Sequence, residues 1–194
     1  MDAEARKEQI LEAAAGVFAG RGYHRTRVSD IIIAAGVARG TFYLYFESKR
    51  GLFEALVERM FTKLQAVILP IDVSSQVPPA EQLRENLLRV FSVMYREREL
   101  NRILLHEAVG IDPELDERLS AFYEAVARFL DESLETGERI GFLRVVDRPI
   151  IARAIMGLVK ETVRDRGLDA PELDTAALVD TLLDFVLRGL VAGA

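Results

Sequence analysis

Between Gly22 and Arg50 the run GYHRTRVSDIIIAAGVARGTFYLYFESKR collects guanidinium, hydroxyl, phenol and ammonium groups within about two dozen positions. Thr26, Arg27, Arg39, Thr41, Tyr43, Tyr45 and Lys49 carry them. Hydroxyls, phenols, an ammonium and a helix N-terminus suit phosphate oxygens, whereas an arginine fork can take guanine O6 and N7 together. Catalysis finds less material. The two imidazoles are His24 and His106, no cysteine exists, and no second histidine stands at metal-ligand spacing. His106 and Glu107 are neighbours, so on a helix they point about 100° apart, a poor arrangement for a base and its orienter. No glycine-rich phosphate loop is present, and neither a metal nor a cofactor is expected.

These groups must be held by something. Val28, Ile31, Ile32 and Ala35 fall at i, i+3, i+4 and i+7, the apolar face of a short helix. Gly36 supplies a residue able to turn at positive φ, and Val37 restarts the chain. In the next short helix Phe42 and Phe46 share a buried face, leaving Arg39, Thr41, Tyr43 and Tyr45 to point elsewhere. Ordinary helix packing is the plainer account of the two tyrosines. An earlier helix over about 3–20, with Ile10, Ala14, Val17 and Phe18 as its stripe, braces the pair. A fourth starts at the N-cap Ser48 and runs to about Leu69, where Pro70 and the Ser/Pro-rich IDVSSQVPP stop it.

Gly22-Tyr23, Thr26, Val28, Ile31, Ala35-Gly36-Val37, Gly40-Thr41, Tyr43, Phe46, Ser48-Lys49 and Leu52 resemble the amino-terminal domain of the TetR family of bacterial transcriptional regulators. The resemblance covers roughly residues 8–57. Arg27 stands where a second Thr is common, and Ile32 where a small Ala is common. What the resemblance implies is a helix-turn-helix DNA-binding domain over 1–50, with helix 48–69 leading into an effector-binding and dimerisation domain over 51–194. Thr26, Tyr43, Tyr45 and Lys49 match positions that grip phosphates. Arg27, Arg39, Gly40 and Thr41 match positions that approach base edges, Gly40 by letting the helix sit close to the groove.

Charge supports this division. Net charge is −6, yet residues 21–50 hold six basic side chains (Arg21, Arg25, Arg27, Arg39, Lys49, Arg50) against two acidic ones (Asp30, Glu47), which leaves −10 elsewhere. A small cationic head on an acidic body is what DNA recognition needs, since only the contact surface has to be positive. The charged start MDAEARKEQ has no apolar signal core and no apolar run reaches membrane length, so a cytoplasmic protein away from membranes is expected.

Beyond Pro79 the periodicity is helical over about 80–98, 100–110, 113–137, 148–166 and 172–191, with no credible strand. The fold class is therefore all-α; the resemblance implies about nine helices in all. In the last helix Asp180, Asp184 and Arg188 make one narrow polar stripe, and helix 148–166 offers it an apolar face through Ile151, Ile155, Leu158, Thr162 and Val163, with Gly157 allowing close approach. That pattern alone fits a monomer core or a subunit interface equally. The resemblance implies a homodimer through these two helices, binding a pseudo-palindromic double-stranded operator, most simply as a repressor. It also implies a small-molecule effector, largely apolar given the Leu, Ile and Val content, with Tyr95, His106, Glu107, Tyr123 and Lys160 as candidates to orient it. Rival readings are a small-molecule enzyme and a helical protein-interaction module without DNA binding.

Overall fold

The structure, a computed structural model, describes residues 3–101, 113–166 and 174–191. The fully bounded helices are α1 (Ala3–Arg21), α2 (Val28–Ala35), α3 (Arg39–Tyr45), α4 (Lys49–Val67), α5 (Pro79–Arg96), α6 (Pro113–Arg139), α7 (Arg148–Arg166) and α8 (Thr175–Leu190). Residues 98–101 are helical as well. Among the described residues the only extended pairing is an isolated antiparallel bridge between Leu143 and Val191.

Two compact units emerge, a head of Met1–Lys63 with Glu97–Asp116 and a body of Leu64–Arg96 with Glu117–Ala194. The sequence suggested a boundary at 50/51. Most of α4, the helix expected to lead from one domain to the next, falls within the head unit, where its apolar stripe Leu52, Phe53, Leu56, Val57 and Met60 is buried.

In the head, Phe18, Tyr23 and Phe53 interlock with ring centroids 5.0–5.5 Å apart, and Ile10, Leu11, Ala14, Ile31, Ala35 and Phe42 are buried. Arg59 of α4 bonds Glu8 of α1 and, at 3.0 Å, Glu97, whose other oxygen takes Lys63 at 2.5 Å. Arg59 and Glu97 are 12% and 15% exposed, so each depends on its partners, while Glu8 and Lys63 keep 41% of their side chains open to solvent.

In the body, Leu134, Ala152 and Leu190 form a core with Leu130, Leu143, Val146, Ile151, Ile155 and Val186 packed against it. The partner face expected of helix 148–166 is thus partly used inside the protomer, through Ile151, Ile155 and the buried Val163. Asp180 of the expected polar stripe takes a bidentate contact from Arg84 of α5, at 2.5 and 3.1 Å. Asn86 and Arg89 of α5 satisfy backbone groups of Leu69 and Val67, fastening the loop after α4.

Candidate nucleic-acid interface

Two turns fix the reading elements. Gly36 adopts φ 62°, ψ 34°, and its N–H and that of Val37 cap the end of α2 at Ile33 and Ile32. That is the left-handed cap only glycine takes cheaply. Gln9 of α1 donates to the Ala35 carbonyl at 2.7 Å, which ties the turn to the brace helix. At the other end Asp30 accepts the Arg27 N–H at 2.9 Å and pairs with Arg21 at 3.1 Å.

Phe42 is fully buried and anchors α3, with Phe46 beside it. Arg39, Gly40, Tyr43 and Leu44 are exposed, and Thr41 and Tyr45 half-buried. The Arg39 guanidinium lies over the Tyr43 ring, 5.7 Å from its centroid, so the cation is oriented before any ligand arrives. A Cβ built on Gly40 would meet nothing within 4 Å. Nothing among the described residues requires glycine there. Arg27 is exposed at the start of α2. These side chains were legible from periodicity; Leu44, 82% exposed, was not singled out, although it stands four residues from Gly40.

Two sequence-nominated residues turn inward. Thr26 is 2% exposed and its hydroxyl donates to the Gly22 carbonyl at 2.8 Å. Its one proton is committed, so in this conformation it stabilises the turn and has none to give a phosphate. Lys49 places Nζ 2.8 Å from the Tyr23 carbonyl, 2.9 Å from that of Thr26, and 4.2 Å from the Tyr23 ring centroid. Burial holds its pKa below the ordinary lysine value. Two of its three protons are occupied, and a phosphate contact would have to use the third.

Of the effector candidates, the body brings two together: Lys160 of α7 lies over the Tyr123 ring of α6 at 4.8 Å, and burial raises the Tyr123 phenol pKa. Tyr95 is 39% exposed on α5. His106 and Glu107 lie outside the described residues.

Comparison with known proteins completes the assignment. Residues 10–56 match the model of bacterial regulatory proteins of the tetR family, and residues 76–190 that of the tetracyclin repressor-like C-terminal domain. The chain belongs to the TetR family. As a TetR-family member it is a sequence-specific DNA-binding transcriptional regulator, all-α, with a helix-turn-helix head. The fatty acid metabolism regulator protein of Bacillus subtilis is 28% identical over 184 residues, 94% of each chain. The HTH-type transcriptional regulator TtgR of Pseudomonas putida is 30% identical over 199 residues, covering 95% of this chain and 93% of its own. The solved structure of the transcriptional regulator FadR from Bacillus subtilis in complex with stearoyl-CoA superposes with a TM-score of 0.77 at 27% identity, over 94% of this chain and 98% of that one. No helix among the described residues is long and apolar enough to cross a membrane.

Proposed function

We propose that this TetR-family regulator acts as a homodimeric repressor that places α3 of each subunit in successive major grooves of a pseudo-palindromic operator and is released by an acyl thioester of coenzyme A. Half-sites then lie roughly 34–36 Å apart or a multiple of it. The observation that carries the DNA assignment is the α3 surface itself, where an exposed arginine, a glycine with open space beyond its Cα and an exposed phenol stand together on the helix that buried Phe42 anchors. Arg27, Arg39, Gly40 and Thr41 address base edges; Tyr43 and Tyr45 address phosphates. Thr26 and Lys49 act mainly from behind, holding the turn that aims both helices.

Dimerisation is assigned to α7 and α8. Support comes from Ile150, 63% exposed on α7, and Phe185, 71% exposed on α8, while Gly157 has nothing within 4 Å of an added Cβ. Large apolar side chains left open on adjoining helices are what a two-fold interface covers. The acyl-CoA assignment is supported by the stearoyl-CoA complex and by the fatty acid metabolism regulator, both alike over nearly the whole chain. It fits the largely apolar effector expected from composition, with Tyr123 and Lys160 as polar groups on two body helices. Action on cytoplasmic DNA, and a role without turnover, follow from the same reading.

Selection of duplexes from a random pool by the intact protein tests this, repeated with stearoyl-CoA and with free coenzyme A. Enrichment of one inverted repeat, lost with the acylated compound and kept with the free one, is the expected result. Absence of any inverted-repeat enrichment refutes the operator assignment; equal release by both compounds refutes the acyl requirement.

A further inference from the structure

On α3 the residues that point away from the head core are set by position. At about 100° per residue, Gly40 and Leu44 each lie about 160° from Phe42 around the helix, one on either side, and so flank the direction opposite the buried ring. Phe42 is 0% exposed and Leu44 82%. Gly40 and Leu44 are one turn apart on the same face, with Tyr43 about 100° and Arg39 about 140° from Leu44 around the helix. An isobutyl group held in water at the most outward point of a helix costs solubility and brings the fold nothing. Ile33 of α2, 78% exposed, is likewise open, whereas Ile10, Phe18, Ile31, Phe42, Leu52 and Leu56 are all 0% exposed.

The geometry points to Leu44 as a base-reading residue that packs against the C5-methyl group of one thymine in each operator half-site. This rests on the operator reading above, since α3 must enter the major groove for Leu44 to reach a base. Three features select that occupant over a protein or a second copy of the chain. Leu44 shares its face with Gly40, whose missing Cβ permits a close approach; the surrounding segment is cationic, and no other apolar residue lies on α3 away from Phe42 and the tyrosines. In the major groove the one apolar group among the base edges is the thymine methyl. Leucine has no donor or acceptor with which to satisfy any other base edge, so its preference is steric and hydrophobic. Positions read by Leu44 should discriminate thymine from uracil, which differ by that methyl alone.

The test uses the inverted repeat selected by the intact protein, with each thymine replaced singly and symmetrically by deoxyuridine. Binding is titrated for wild type and for Leu44→Ala, whose thermal unfolding should match wild type because the side chain is exposed. One thymine position should lose roughly fifteenfold in dimer affinity when both half-sites are changed, about fourfold for each half-site, the equivalent of about 0.8 kcal/mol per buried methyl-sized group. Leu44→Ala should lose a similar factor on the thymine operator and be indifferent to uracil at that position. Uracil tolerated everywhere by wild type, or a uracil penalty that Leu44→Ala keeps undiminished, overturns the assignment. Failure to select any inverted repeat at all would instead strike the operator reading itself, so the two failures are distinguishable.

Discussion

Head and body hold their helices by different means. Of the ten largest side chains that are under 2% exposed among the described residues, nine belong to the head and only Phe91 to the body. Head polar groups reach across the chain to backbone: Gln9 to Ala35, Lys49 to Tyr23 and Thr26. Body polar groups do both: Asn86, Arg89 and Arg144 reach the backbone of Leu69, Val67 and Gly189, and Arg84 pairs with Asp180, Arg153 with Glu124 and Arg148 with Glu138. Tight burial and satisfied backbone give the head one geometry, which is what reading base edges requires. Exposed ion pairs hold helices weakly, and apolar groups such as Ile150 and Phe185 stay open in a single protomer. The contrast is that of a tightly packed head and a body with fewer large side chains fully buried among the described residues.

Breaking the head should therefore cost most. Phe53→Ala removes the ring that meets both Phe18 and Tyr23, and should destabilise the head by about 3–5 kcal/mol with loss of operator binding, read by thermal unfolding and titration. Phe185→Ala separates the two regions: it should weaken self-association by about 1.5–3 kcal/mol per copy, followed by sedimentation, and leave head unfolding unchanged. Lys49→Met removes a donor from two turn carbonyls, leaving that of Tyr23 with only the Thr26 N–H at 3.3 Å, and should cost about 1–3 kcal/mol of head stability. A variant that kept full stability and lost only about one charge from the salt dependence of binding would assign Lys49 to phosphate instead.

The smallest effect belongs to the body clasp. Hydrogen bonding from Arg84, then its charge, holds the Asp180 carboxyl below the ordinary aspartate value of 3.8. A carboxylate lowered on folding stabilises above its unfolded pKa and loses that contribution as the pH falls through the folded one. The clasp thus contributes at neutral pH and fades below about pH 4. Asp180→Asn should flatten the acid limb of the stability profile slightly; an identical limb would remove the clasp from the account.

The helices and the outward face of α3 were legible in the sequence because both depend on local periodicity, as the i, i+4 pair Phe42 and Phe46 illustrates. Ser48 likewise caps α4, accepting the Gly51 N–H at 3.0 Å. Thr26 and Lys49 show intramolecular partners that the sequence did not reveal, for one reason. Their chemistry suits a phosphate, but backbone carbonyls compete for the same protons, and for Lys49 those carbonyls lie 23 and 26 residues away in sequence. Only the packed head brings them together. Leu44 escaped notice for the opposite reason: an apolar residue in a short helix is normally core, and its exposure becomes visible only once Phe42 fixes which side faces inward.

Arg39 offers the most direct test, because the central claim is that the exposed face of α3 reads base edges. The measurement is the affinity of wild type and Arg39→Ala for the selected inverted repeat and for versions changed at each base pair in turn. If Arg39 reads a guanine, the variant should lose about 1–3 kcal/mol on the cognate duplex and become indifferent to one base pair per half-site. A loss of equal size on every sequence, with discrimination intact at all positions, would contradict the account.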